Sequence, residues 1–333
     1  MTNLTNLINF HTDLTNVISK LSIDQIINEK ISIINSIDTT EFIHPLTTAT
    51  NNYQQIKIDN QNIINDLNNL ILTVEQKIDA IGNEIIEFQK QNRPVVNQFY
   101  SLGKRDIVLE TVKNVILSNT LWQYPGLILY PHSKTWIDLM VAGDPLYLLV
   151  DVNLEDFNSQ FSNISTIGAD SFSSGDQDIE RLQVRVTNQL LENLIKEYPE
   201  QYQRRLRIYQ DIDLLPQNQF GMILAWDFLT YFSIDDIDAY LSKFLSLLRP
   251  GGILLFNYNN CDISSTAAGA EKNINYYFNK RRLKKMCNNL GFKIIRLEDE
   301  YQLGIPVSWA EIQKSGELIT VKRAQAIGAI LSK

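Results

Sequence analysis

Cysteine, glycine, proline and positive charge are all scarce in this chain. Cys261 and Cys287 are the only cysteines, too few for a disulfide framework or a cysteine-based metal site. So small a number fits a reducing, intracellular setting. A net charge of −8, with a pI near 5.0, excludes a nucleic-acid-coating surface, which would be basic. The local exception is Lys280, Arg281, Arg282, Lys284 and Lys285, whose helical spacing reads as a solvated face or as a phosphate tracker. No basic n-region and apolar core mark a secretory leader at Met1, and no run approaches ~18 apolar residues. A soluble, cytoplasmic protein is expected, and with 44% apolar residues it can bury a sizeable core.

Residues 1–94 hold one glycine, Gly82, and two prolines, Pro45 and Pro94. Leu4, Leu7, His11, Leu14, Ile18 and Leu21 alternate steps of three and four, one face of a helix. A second helix is predicted from Asp24, with Ile26, Ile27, Ile31, Ile34 and Ile37 as its stripe. Asp38–Asn52, rich in Thr, Asn and Pro, reads as a loop. Beyond it, Ile56, Ile63, Leu67, Leu70, Val74, Ile78, Ile81, Ile85 and Phe88 keep a near-heptad seam. Two consecutive steps of four between Leu70, Val74 and Ile78 make a stutter. Such a seam must be covered, either within the chain or by association between chains.

From Leu109 the period changes to short apolar runs alternating with helical patterns, as in a parallel α/β sheet. Seven strands are predicted, at 126–130, 146–150, 206–209, 221–225, 252–257, 292–297 and 308–313. Helices are predicted at 135–142, 183–197 and 318–331. The expected organisation is a helical, coiled-coil-like region at 1–94, a helical connector at 95–120 and an α/β domain at 121–333.

In such a sheet a ligand sits beyond the carboxyl ends of the strands. Asp151 closes the second strand, roughly 20 residues beyond the first, a spacing suited to holding ribose hydroxyls; it equally suits a helix cap. Asp211 and Ile212 follow the third strand, where an acid either meets a ligand or forms a turn. Trp226, Asp227 and Tyr231 follow the fourth. Asp227 is a candidate to orient a nucleophile or take its proton, and Trp226 and Tyr231 to wall a cation. The alternative is core packing and capping of the next helix, for which Ser233 and Asp236 also form a capping box. His132, in the first-strand loop, is a candidate general base or a surface residue.

The segment Phe220–Tyr258 (FGMILAWDFLTYFSIDDIDAYLSKFLSLLRPGGILLFNY) resembles the second half of class I S-adenosylmethionine-dependent methyltransferases. So does Lys272–Ile295, in which Leu290-Gly291-Phe292 leads into the sixth strand, and LYLLVDVN at 146–153 is similar to that family's second motif. The resemblance covers residues 121–313 and implies a Rossmann-like methyltransferase sandwich, with a mostly parallel seven-stranded sheet. It also implies S-adenosylmethionine as cofactor, held by Tyr130, Pro131, His132, Ser133, Asp151, Val152, Asp211, Ile212 and Trp226. The first-strand loop departs from the family, because Tyr130-Pro131-His132-Ser133-Lys134 stands where a glycine-rich turn is usual. Proline removes an amide donor, and Lys134 would repel a sulfonium. Ala267–Tyr277 reads as a substrate lid or a plain loop.

Two functions are therefore expected. The first is methyl transfer to an unidentified acceptor, with Asp227, Tyr231 and His132 as candidate catalytic groups. The other is a catalytically silent structural protein, such as a virion component, oligomerising through residues 1–94.

Overall fold

The computed structural model describes residues 4–21, 43–94, 109–131, 134–150, 165–167, 193, 195–302 and 305–319. Its helices are α1 (Leu4–Leu21), α2 (Ile43–Gln91), α3 (Glu110–Asn119), α4 (Lys134–Met140), α5 (Ile234–Leu247), α6 (Ser264–Glu271) and α7 (Lys280–Leu290). Its strands are β1 (Gly126–Leu129), β2 (Leu146–Leu149), β3 (Ser165–Ile167), β4 (Leu206–Tyr209), β5 (Phe220–Ala225), β6 (Leu248–Tyr258), β7 (Phe292–Gln302) and β8 (Ile305–Lys314). The chain divides into two units. One is Met1–Gln91 with Asp262–Glu271, the other Asn92–Cys261 with Lys272–Lys333.

In the first unit α1 packs against α2 and α6. Leu4, Ile8 and Leu14 of α1 are buried, as are Val74, Ile78 and Ile86 of α2. Helix α1 opens on an acid, as its N-terminal dipole favours: the Leu4 amide donates to Glu271 Oε1 at 2.5 Å and Thr5 Oγ1 to Oε2 at 2.9 Å. Helix α2 runs back to Ile43, so the loop predicted over 38–52 is corrected for 43–52. Pro45 falls in the first turn, where its missing N–H costs nothing, and the weak propensities of Thr and Asn do not stop the helix. Within Ala267–Tyr277, read as a lid or a plain loop, the plain-loop reading is corrected for 267–271, which are helical as part of Ser264–Glu271. The helix predicted from Asp24 lies outside the described residues.

The second unit is built on an eight-stranded sheet in the order β3-β4-β2-β1-β5-β6-β8-β7. All neighbours are parallel except β8, which runs antiparallel between β6 and β7. The seven predicted strands are present with shifted ends, and β3 is an additional edge strand. Helices predicted at 183–197 and 318–331 lie mostly outside the described residues.

Alternation along the strands splits the core into two layers. Ile128, Leu148, Leu224 and Leu255 join Trp136, Ile137 and Ile116 on one face. Leu127, Leu149, Ile223, Leu254 and Phe256 join Leu241, Phe244 and Leu283 on the other. Strand β5 is buried along its length, as a central parallel strand covered on both faces must be. Each such Leu or Ile contributes roughly 1.5–3 kcal/mol over leaving it exposed.

Local chemistry sets the turns. Ser233 and Asp236 form the predicted capping box of α5. Gly251, with φ +78°, turns the chain into the body of β6 beside the Glu317–Leu318 backbone. Lys314 Nζ donates to the Leu245 and Leu248 carbonyls at 2.8 and 2.7 Å, closing the C-terminus of α5. No helix among the described residues is long and apolar enough to cross a membrane.

Candidate functional site

Strand β1 hands the chain through α4 to β2 on one side, and β5 hands it through α5 to β6 on the other. The crevice beyond β1 and β5 is therefore the point where the winding reverses, the usual ligand position in an open α/β sheet. At this point two non-glycine residues adopt left-handed backbone. Tyr130, just past β1, has φ +47°, and Asp227, two residues past β5, has φ +52°. Such conformations are held by their surroundings and cluster at functional sites.

Each has an identifiable hold. The Tyr130 amide donates to the Leu149 carbonyl at 2.8 Å, and its ring stacks on Phe228 at 5.6 Å and 8°. The Asp227 amide donates to Asn257 Oδ1 at 2.5 Å, while Asn257 Nδ2 donates back to Asp227 Oδ1. Both members of this bridge are buried. Asp227 does not cap α5, whose N-cap is Ser233. The Trp226 ring is buried and lies 5.4 Å from Trp136 at a tilt of 38°. Two buried atoms here, Trp226 Nε1 and Thr230 Oγ1, have no hydrogen-bond partner among the described residues.

Tyr130, Pro131, Trp226 and Asp227 are thus the predicted residues that the fold brings to the ends of two neighbouring strands. Tyr231 and Ile212 are half-buried and pack against the apolar layer that contains Tyr130 and Phe228. Asp211 follows β4, with β2 lying between β4 and β1, and its Oδ1 accepts from the Asp213 amide at 2.9 Å as the cap of a short helical turn. His132, Ser133, Asp151 and Val152 lie outside the described residues. The charge of Lys134, expected to oppose a sulfonium, is met by Glu197 at 3.1 Å and Asp138 at 3.9 Å, and its Nζ lies 5.5 Å from the Tyr198 ring centre.

Sequence reasoning missed Asn257, Phe228 and Trp136. The signal for Asn257 was present: it interrupts the apolar run Ile253–Tyr258, and a polar side chain in a buried strand requires a partner. Phe228 and Trp136 read as ordinary core aromatics, and nothing local distinguishes them.

A doubly wound sheet with one antiparallel strand inserted before its last member, and helices on both faces, defines a methyltransferase-like α/β sandwich. No family model and no curated protein matches the chain. Among solved structures it is similar to magnesium protoporphyrin IX methyltransferase from Synechocystis, with bound S-adenosylmethionine. That likeness has 13% identity, a TM-score of 0.39, and covers 62% of this chain and 77% of that one. It is similar also to the N-methyltransferase NodS of Bradyrhizobium japonicum, at 10% identity and TM-score 0.37, over 62% of this chain and 95% of that one. A methyltransferase from Leishmania major shares 13% identity at TM-score 0.40, over 69% of this chain and 82% of that one.

Proposed function

We propose that this protein transfers a methyl group from S-adenosylmethionine to an acceptor bound beyond β5. The observation that carries the reading is the pair of left-handed residues, Tyr130 and Asp227, on either side of the switch point. When bound, the cofactor would supply a methyl group on cationic sulfur for an acceptor lone pair, the electrons of the broken carbon–sulfur bond returning to sulfur.

The residues present suit that group. Tyr130, stacked on Phe228, and Trp226, packed on Trp136, bring aromatic rings to the ends of β1 and β5, the residue type that suits a cation. Among the described residues the Trp226 indole N–H and the Thr230 hydroxyl have no partner, and buried polar atoms of that kind call for a ligand or an ordered water. Asp227 is fixed by Asn257, so its carboxylate is preorganised to orient the acceptor or accept its proton. Asp151 and Asp211 are assigned to the ribose and adenine ends, and Tyr231 to the acceptor side. Positioning and water exclusion would account for most of the rate.

The deciding experiment is calorimetric titration of the full chain with S-adenosylmethionine and S-adenosylhomocysteine. Micromolar binding of both is expected. Absence of binding up to millimolar concentration would overturn the reading. The second reading would then take its place, a catalytically silent module in which the Tyr130–Phe228 stack, followed by Pro131, fills the position of a glycine turn.

A further inference from the structure

Strand β7 is the last member of the sheet, and among the described residues β8 is its one hydrogen-bonded neighbour. Its 11 residues make a long edge, since strands usually run to about 5–6. Such an edge presents a row of backbone amides and carbonyls to any strand that can lie beside it. Lys280 Nζ comes within 3.4 Å of the Leu297 carbonyl, longer than an ordinary hydrogen bond, and is held at 2.5 Å by Asp299. The ladder to β8 skips Ile295. Lys293, Arg296, Glu298 and Glu300 therefore face Gln313, Glu311, Trp309 and Val307, alternate residues of β8, and lie on one face of the sheet. Two bases are followed by two acids along that face. Arg296 Nε is 3.1 Å from Glu311, yet the arginine side chain stays 49% exposed. Glu300 Oε1 accepts from Thr111 and Trp309 at 2.6 and 3.0 Å, which anchors its carboxylate. Lys293 and Glu298 are exposed, and Ile295 and Tyr301 are 37% and 66% exposed.

We propose that β7 pairs antiparallel with the β7 of a second copy, about a two-fold axis at Leu297, so that the two sheets run on as one. Charge carries the argument. Charge of one sign along an edge repels an identical strand in either direction, a guard against such pairing. Charges sorted by sign repel in only one of the two. In a parallel, in-register pair Glu298 would meet Glu298 and Arg296 would meet Arg296, which is destabilising. In an antiparallel pair about Leu297, Arg296 of each copy opposes Glu298 of the other, and with Ile295 skipped Lys293 opposes Glu300. Four ion pairs then line one face, and Leu297, which points to the apolar layer of the other face, meets the Leu297 of the second copy. The same pairing brings the exposed Tyr301 of each copy toward the basic end of the other, where a cation suits an aromatic ring. A surface that is its own complement is what a two-fold dimer requires.

This pairing lies within the second unit and does not depend on methyl transfer, and its failure leaves cofactor binding untouched. The test is sedimentation equilibrium of the full chain at tens of micromolar, with three variants. The wild-type chain should show a dimer mass. Glu298→Arg alters an exposed side chain and should raise the dimer dissociation constant about tenfold, because attraction to Arg296 becomes repulsion on both sides of the axis. Glu298→Gln should raise it less, whereas the same change would tighten a parallel pair. In Leu297→Cys mild oxidation should yield a covalent dimer on a denaturing gel, since the axis brings the two substituted positions within disulfide reach. The parent chain, whose Cys261 and Cys287 are buried, should not cross-link. A monomeric wild-type chain would overturn the proposal. So would a dimer that Glu298→Arg leaves intact, which would place the interface elsewhere on the chain. A dimer that Leu297→Cys fails to cross-link would overturn the axis at Leu297.

Discussion

Asp227 and Asn257 bind each other twice across the ends of β5 and β6, backbone amide to side-chain oxygen in one direction and side-chain amide to carboxylate in the other. The arrangement gives a buried acid a fixed orientation, and it holds Asp227 in a backbone region that non-glycine residues avoid.

Replacing Asn257 should therefore be costly. Asn257→Ala leaves the Asp227 amide and carboxylate oxygen without their partner, a loss of about 1–3 kcal/mol. Urea unfolding followed by tryptophan fluorescence reads it directly, and an unchanged midpoint would show that the bridge does not contribute.

Two glycines with left-handed backbone should respond unequally to alanine. At Gly251 an added Cβ would lie 2.4 Å from the Leu318 amide nitrogen and 2.6 Å from the Glu317 carbonyl carbon. Nothing lies within 4 Å at Gly291. Gly291→Ala should cost only the conformational term, about 1–2 kcal/mol, and Gly251→Ala clearly more, since backbone must also move. Equal losses in thermal unfolding would contradict this account of the turn.

Acid sensitivity should trace in part to Asp299. Burial pushes its carboxyl up, but hydrogen bonds from Lys280, Ser308 and Asn260 together hold it below the ordinary value of 3.8. A depressed folded-state value adds stability above about pH 4, and that stability is lost as pH falls through the folded value. Asp299→Asn should be less stable at pH 6 and lose less between pH 6 and pH 3. A fall with acid equal to that of the parent chain would remove Asp299 from the transition.

Cofactor binding gives the sharpest test of a residue chosen from sequence alone. Asp151→Ala should weaken S-adenosylmethionine binding at least tenfold, since a charge-assisted hydrogen bond is worth roughly 1.5–3 kcal/mol. Equal affinity in calorimetry would place ribose recognition elsewhere.

Much of this molecule could be read locally. The period of three and four over residues 4–21 and 56–88, the apolar runs of the sheet, the Ser233–Asp236 box and the Pro250-Gly251-Gly252 turn are each set by a few adjacent residues. Their physical causes act over one or two turns of chain. The helical start at Ile43 and the strand Ser165–Ile167 escaped that reading, since tertiary context overrides weak propensity.

What only the tertiary structure decided are the relations between strands. That Tyr130 stacks on Phe228, that Trp226 meets Trp136 and that Asp227 locks to Asn257 depend on strand order and register, which bring together residues up to about a hundred positions apart. The sequence by itself determined a helical N-terminal segment and a doubly wound sheet, because patterning alone selects which faces must be buried. Only the assembled sheet could hold Tyr130 and Asp227 in left-handed backbone, because the contacts that offset that strain come from neighbouring strands.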